Sequence, residues 1–389
     1  MTHWVRICFA LLALAFAPRL EARPLQAPTQ QWSVAPVADA PIALLVEVPS
    51  GQVLYAREPD RRFIPASVTK VMTAYTVFEQ IKAGKLSTST EFLVPDAVAQ
   101  EWSGKGSTMF LVAGDKLPLE TLLRGITTIS ANDASIVVAE GAGGSVLQWT
   151  ALMNRQARAL GMADSHFGTP NGWPDGGATF TTAADLVKLA TALTTRHPAL
   201  YRSYFGQFDF GYRGVGMRNH DPLIGVVKGA DGIKTGFTNQ AGHNFLGSAE
   251  RNGRRLVMVV AGIDSEESRA RISRELVEWG FDMFERKEIY AAGEQIGFAQ
   301  VQDGTSAAVA LSSTSPVNVA LPRAKAGVRL AITYDGPLRA PVRKGEQVAM
   351  LEVTIDGMPP YTVPLIASDT VEKASIFSRI ANGIRGWLA

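Results

Sequence analysis

Three clusters of nucleophilic, cationic and amide side chains stand far apart in the chain: Ser67 with Lys70, Ser130 with Asn132, and Lys234 followed by Thr235 and Gly236. Residues three apart on a helix share a face, with Cβ atoms roughly 5–6 Å apart, so the Lys70 amine can reach the Ser67 hydroxyl. A serine hydroxyl is a poor nucleophile until a base takes its proton. Lysine can be that base only where burial or a second cation brings its pKa down from about 10.4. The helix opened by P-A-S-V-T-K presents its positive end there, an unusual place for a lysine unless a lowered pKa is its purpose.

Each cluster alone has a plainer reading. Ser-x-x-Lys arises about once or twice in a chain of this length at ordinary residue frequencies. Ser130-Ala131-Asn132 has the form of a helix cap, and Lys234 that of a solvated lysine on a strand, with Gly236 leaving room for a ligand backbone. Together and in this order, at separations of 63 and 104 residues, they are far rarer. They form the S-x-x-K, S-x-N and K-T-G set shared by serine β-lactamases and penicillin-binding proteins. The chain resembles the low-molecular-mass penicillin-binding proteins that are serine-type D-alanyl-D-alanine carboxypeptidases. The resemblance also runs through "GMADSHFGTPNGWPDGG" (161–177) and "DGIKTGFTNQAGHNFLGSA" (231–249) and covers nearly the whole mature chain.

What the resemblance implies is an acyl-enzyme on Ser67, formed from the bond between two terminal D-alanines of a peptidoglycan stem peptide. Lys70 would be the base, Ser130 the proton relay to the leaving amine, and Asn132 the partner of the substrate amide. Lys234, Thr235 and Gly236 would meet the terminal carboxylate, and the backbone N–H groups of Ser67 and Phe237 would form the oxyanion hole. Arg269 and Arg218 match arginines that lie near the cleft in relatives. His243 stands where relatives often carry tyrosine, and a structural role is expected of it. No cofactor and no metal is implied, and β-lactams are expected as inhibitors. D,D-endopeptidase or transpeptidase activity would use the same machinery with a different substrate or acceptor.

The elements that must position these groups can be read from periodicity. Ile42 to Val48 and Gln52 to Ala56 read as strands, and the helix after Ser67 carries an apolar stripe of Val71, Met72, Tyr75 and Phe78 and ends near Gly84. Helices then dominate to about residue 200, including Leu119 to Ile126 after Pro118, and Thr182 to Leu193. Gly232 to Phe237, His243 to Glu250 and Arg255 to Gly262 read as a hairpin set with turns at 239–242 and Asn252-Gly253, followed by a helix from Arg269 to Phe284. Strands at both ends around central helices predict one sheet assembled from distant parts of the chain. The alternation at 317–321, 328–334, 348–355 and 361–365 predicts a small all-β unit.

The expected fold is therefore α+β. A β-lactamase/transpeptidase-like domain with an antiparallel sheet flanked by helices (28–286) precedes a β-rich domain (287–368) and a C-terminal amphipathic helix (369–389). Residues 1–27 read as a signal peptide: His3 and Arg6, an apolar run from Ile7 to Ala17 too short to cross a bilayer, then small residues. The single cysteine, Cys8, falls within it, so disulfides, thiol catalysis and cysteine zinc sites are excluded from the mature chain. In the tail, Ile376, Ile380, Ile384, Trp387 and Leu388 share a face opposite Lys373, Arg379 and Arg385, the pattern of a helix lying on an anionic membrane. The expected location is periplasmic, with the tail holding the protein to the outer face of the cytoplasmic membrane.

Other classes lack their signatures. A net charge of +2, with cations spread along the chain, gives no nucleic-acid footprint. Ile233 stands where a phosphate loop needs glycine before its lysine, and neither G-x-S-x-G nor H-E-x-x-H occurs. No glutamate lies between Gly141 and Ala249, where a class A β-lactamase keeps its deacylating base. A non-catalytic wall-binding protein has no need of intact Ser67, Lys70, Ser130 and Lys234.

Overall fold

The computed structural model describes residues 37, 39–48, 50–323 and 326–375. The expected signal peptide and most of the expected amphipathic tail lie outside the described residues, as does Pro49 in the first hairpin turn.

The chain opens with strands β1 (Ile42–Val48) and β2 (Gln52–Arg57), a 3-10 turn (Ala66–Thr69) and helix α1 (Lys70–Lys82). Then come β3 (Glu91–Leu93), α2 (Asp96–Trp102), β4 (Lys116–Pro118), α3 (Leu119–Thr128), α4 (Asn132–Gly143), α5 (Val146–Ala159), α6 (Ala183–Arg196) and α7 (Pro198–Tyr204). A small hairpin, β5 (Asp209–Tyr212) and β6 (Val215–Arg218), precedes β7 (Ala230–Thr238), β8 (Gly242–Arg251), β9 (Arg254–Ile263) and helix α8 (Glu266–Met283). β1, β2 and β7 to β9 form one five-stranded sheet in the order β2-β1-β9-β8-β7, so both chain ends of this unit meet as expected, with β1 antiparallel to β9.

Side chains alternate across a strand, and β1 is buried throughout because each face has a cover. Leu44 and Val46 pack into a core with Val71, Met72, Tyr75 and Phe78 of α1, while Ala43 and Leu45 pack against Ile272, Leu276 and Val277 of α8. The predicted stripe of α1 is thus entirely interior, each large side chain contributing about 1.5–3 kcal/mol by burial. Helix starts follow capping chemistry: Thr182 Oγ1 accepts from Asp185 N at 3.1 Å, and Ser265 Oγ accepts from Ser268 N at 3.1 Å. The second cap starts α8 at Glu266, three residues before the expected Arg269, which brings both residues into one helical turn.

β10 (Phe284–Tyr290) follows directly and runs through the expected boundary at 286. Beyond it lie β11 (Gln295–Gln302), β12 (Ala308–Ser312), β13 (Val317–Pro322), β14 (Val328–Thr333), β15 (Leu338–Arg339), β16 (Gln347–Ile355) and β17 (Tyr361–Ala367). β10 pairs with β13, and the others form a sheet in the order β14-β16-β17-β12-β11-β15. The junction is tight. Gln52 extends the pairing of β13 by donating to Ala320 O at 2.7 Å and accepting from Ala320 N at 2.8 Å. Arg254, buried, binds Glu47 at 2.7 Å and donates to the carbonyls of Phe284 and Gly280 at 2.8 and 3.0 Å. Removing Glu47 would strand a buried guanidinium, the costly way to break such a pair.

Candidate active site

The nucleophile turn sits where three walls meet: α1 below, the loop and N-terminus of α4 on one side, and strand β7 on the other. Lys70 is 1% exposed. Its Nζ lies 2.9 Å from Ser67 Oγ, 2.7 Å from Asn132 Oδ1 and 2.7 Å from the carbonyl of Asn171. Burial, and next the charge of Lys234, hold its pKa well below the usual lysine value, while Asp133 pulls the other way. An amide oxygen and a carbonyl can only accept. In the neutral amine they take both N–H bonds, and the remaining lone pair faces the Ser67 hydroxyl.

Ser130 lies between α3 and α4 with φ +67°, a left-handed conformation rare for serine and typical of functional loops. Asn132 N donates to Ser107 O, and Asn132 Nδ2 to Lys105 O, both at 2.8 Å. Its neighbour Asp133 accepts from Met109 N at 3.0 Å and Leu111 N at 3.2 Å. That pair of residues pins the 105–111 loop, so that Gly106 and Ser107 form part of the cleft lining.

The third motif arrives on β7, which packs directly on the 3-10 turn. A Cβ at Gly236 would come 2.4 Å from Pro65 O. The glycine therefore serves the close approach of the protein's own nucleophile turn. Gly172 does the same from the opposite side, where a Cβ would fall 1.9 Å from Ala66 O. Lys234 is 3% exposed and donates to Thr235 O at 3.0 Å. Burial and then Arg269 bring its pKa down to about 7 against the pull of Asp221.

A cleft of about 290 Å³ runs over these groups. Ser67, Ser130, Asn132, Thr235, Gly236, Phe237 and Arg269 all line it, with Lys70 and Lys234 buried beneath. Arg218 is not among the lining residues; it is exposed on β6. Several contributors have no counterpart among the residues expected from the sequence. Trp173 forms part of the lining, edge-on to Trp102 at 5.5 Å. His220 and Glu266 line it too, and Glu266 accepts from Arg269 Nη2 at 2.9 Å. His243, expected to be structural, faces the cleft and stacks on Phe237 at 4.2 Å. Asn244 beside it donates to Ile64 O and accepts from Gly262 N, both at 2.9 Å, tying β8 to the segment that leads into Ser67. Among the described residues, no group of three or more His, Cys, Asp or Glu side chains could hold a metal ion.

A buried amine against a serine hydroxyl, with a second serine and two further cations around one groove, is the machinery of a serine acyl-transfer enzyme. The family profile described as D-alanyl-D-alanine carboxypeptidase, Peptidase S11, matches residues 29–265, and that of the penicillin-binding protein 5 C-terminal domain matches residues 284–373. The D-alanyl-D-alanine carboxypeptidase DacA of Escherichia coli (strain K12) is 31% identical, over 90% of this chain and 88% of its own length. DacA of Haemophilus influenzae is 30% identical, covering 93% of each chain. The crystal structure of penicillin-binding protein 5 from Haemophilus influenzae superposes with a TM-score of 0.77 at 28% identity, over 86% of this chain and 98% of that one. The chain belongs to the D-alanyl-D-alanine carboxypeptidase family of penicillin-binding proteins.

Proposed function

We propose that the chain removes the terminal D-alanine of peptidoglycan stem peptides through an ester on Ser67, using the unit at 28–286, with the unit at 287–368 as a spacer. The observation that carries this reading is the 2.9 Å approach of the Lys70 amine to the Ser67 hydroxyl, made by a lysine whose other two partners are obligate acceptors. Ser67 Oγ attacks the carbonyl carbon between the two D-alanines, and its proton passes to Lys70. The backbone N–H groups of Ser67 and Phe237 hold the resulting oxyanion. The proton on Lys70 moves through Ser130 to the departing amine as the C–N bond breaks. Water then cleaves the ester, releasing the shortened peptide and restoring Ser67. Asn132 holds the substrate amide, while Lys234, Thr235 and Arg269 receive the terminal carboxylate. Arg218, exposed and outside the lining, is assigned no contact.

A β-lactam presents a strained amide and a carboxylate to the same groups; penicillin-binding protein D2 of Listeria monocytogenes, 28% identical, was solved in its ampicillin-bound form. Among the residues lining the cleft the only carboxylate is Glu266, and it is engaged by Arg269. Release of a penicilloyl group by water is therefore expected to be slow. Intact-protein mass after incubation with benzylpenicillin should rise by one penicilloyl group, and peptide mapping should place it on Ser67. An unmodified protein, or an adduct elsewhere, would overturn the reading; an adduct that disappears as fast as it forms would make the chain a β-lactamase.

Residues 371–375, expected within the tail helix, instead pair with the β unit through Val371 with Val342 and Lys373 with Gly304, where that unit offers partners for their backbone groups. The apolar and cationic sequence pattern of 376–389 supports a periplasmic enzyme held at the membrane surface, and no helix among the described residues is long and apolar enough to cross a membrane. Deleting 376–389 should move the protein from the membrane to the soluble fraction without changing its peptidase activity. Retention at the membrane after deletion would refute the anchor.

A further inference from the structure

Between β6 and β7 the chain turns inward at Asp221. Its Oδ1 accepts from the backbone N–H groups of Leu223 and Ile224 at 2.7 and 3.3 Å, fixing the turn. Its Oδ2 is enclosed and accepts no hydrogen bond from the protein. An enclosed carboxylate oxygen without a partner is costly unless charges around it compensate. Two buried cations, Lys234 and Arg269, lie near enough to act on its charge. Arg269 is 4% exposed, spends Nη2 on Glu266, and has an enclosed Nε that donates to no protein group. Lys234 uses one donor, toward Thr235 O, of the three that an ammonium carries.

We propose that Asp221 is a positioning residue for the acylation chemistry, the counter-ion that keeps Lys234 charged and Arg269 in place beneath the substrate's carboxylate. The inference rests on the reading of Lys234 and Arg269 as the carboxylate-binding cations and goes beyond it, because Asp221 does not line the cleft and touches no substrate.

The charges agree with this geometry. Burial raises the Asp221 pKa to about 6, while its backbone donors, Lys234 and Arg269 pull it down. Burial and Arg269 lower that of Lys234 to about 7, and Asp221 acts against them to raise it. Each charge favours the other: Asp221 holds the proton on Lys234, and Lys234 favours the ionised carboxyl of Asp221. The other groups around the cluster are Lys70 of α1 with Asp133 of α4 behind it, His220, His243 of β8, and Glu266 and Arg269 of α8. None of the remaining carboxylates substitutes for Asp221: Glu266 is committed to Arg269, and Asp133 to the 105–111 loop. Without the Asp221 charge the ammonium of Lys234 is less favoured. It then loses its proton at lower pH, which weakens carboxylate binding and also withdraws the charge that depresses the Lys70 pKa. Both consequences slow acylation on the alkaline side.

The test is the second-order rate constant for acylation of the full chain by benzylpenicillin between about pH 5 and about pH 9, with thermal unfolding alongside. In Asp221→Asn, whose amide oxygen still accepts from Leu223 and Ile224, the alkaline limb is expected to move down by about one pH unit. That makes the variant about tenfold slower than wild type above the limb, with rates on the acid side within about twofold. Asp221→Ala should show the same displacement and a lower unfolding temperature, because it also loses the cap. An unmoved limb in Asp221→Asn overturns the inference and leaves Asp221 a turn residue, even if Asp221→Ala fails to fold. Wild-type protein that is not acylated at any pH would instead sink the proposed function.

Discussion

Lys70→Met is expected to slow acylation of Ser67 by benzylpenicillin about 10³-fold, the middle of the range for loss of a general base. Methionine matches the length and burial of the lysine stem but offers no lone pair to the hydroxyl 2.9 Å away. It also leaves Asn132 Oδ1 and the Asn171 carbonyl without their donor, at a cost of about 1–3 kcal/mol each before relaxation. A second substitution separates base from charge. Lys70→Arg places a permanent cation there, but a guanidinium cannot give up its proton in a protein, so it should be as slow as methionine. Ser67→Ala should form no ester at all. The measurement is the rate of covalent labelling by a fluorescent penicillin, with circular dichroism to show that the variants are folded. An arginine variant acylated within tenfold of wild type would mean that Lys70 supplies charge alone and that the proton leaves by another route. The pH dependence has a definite sign: Lys70 works as a base above its folded pKa, which burial and Lys234 hold well below the ordinary lysine value. Acylation should therefore climb with pH on the acid side and fall only where Lys234 is discharged, near its depressed pKa of about 7.

The groups that touch substrate in this scheme were legible in the sequence because their chemistry lives in side-chain type and spacing. Ser67 and Lys70 share a turn, and Ser130 with Asn132, and Lys234 with Thr235, are short local patterns that survive translation into any fold that joins them. What escaped was chemistry carried by the backbone or by packing. The carbonyl of Asn171 is a third partner of Lys70, and no side-chain pattern announces a carbonyl. Asp133 stands next to a residue singled out from the sequence, yet its role is to hold a loop more than twenty positions upstream in the chain. At Gly236 the sequence suggests room for a ligand backbone, but gives no sign that the enzyme's own Pro65 carbonyl also needs that room. Even the stacking of His243 on Phe237 depends on the register that sets those residues opposite each other on β7 and β8.

The same division holds for the fold. The five-stranded sheet was readable because β1 and β9 are nearly continuous apolar runs, because β7, β8 and β9 are joined by sharp turn signals, and because strands at opposite ends of a helical segment have one economical way to bury both faces. In the β unit, β13, β14, β16 and β17 alternate clearly, whereas β11 carries glycine and alanine within its run and β12 is only five residues long, with Val309 and Leu311 as its two large apolar side chains. They are strands because a neighbouring edge is present to pair with, as β12 pairs with β17 at Leu311 and Ser312. β10 was hidden for another reason. Phe284 ends the apolar pattern of α8 and begins the pairing with β13, opposite Pro322, so one residue serves both elements.

Gly172→Ala should lower the acylation rate by about 10²-fold or more, although residue 172 carries no reacting group. Two effects combine. The residue has φ +75°, where alanine is disfavoured by about 1–2 kcal/mol. Its Cβ would also lie 1.9 Å from Ala66 O and 2.8 Å from Thr69 Oγ1, atoms of the turn that carries Ser67. The carbonyl belongs to backbone immediately before the nucleophile, so relief requires moving either that turn or the Asn171 carbonyl that holds Lys70. A displacement of about 1 Å in such a constellation costs about 10²-fold. Gly176→Ala separates the two effects, since Gly176 has φ +73° and nothing within 4 Å of where its Cβ would be. That variant should lose about as much stability as the backbone strain alone dictates and acylate at nearly the wild-type rate. If Gly172→Ala acylates as fast as Gly176→Ala, the nucleophile turn does not depend on the 170–173 loop for its position. Loss of rate in Gly172→Ala alone would assign that loop the task of holding serine and lysine in register, a function written in a missing side chain.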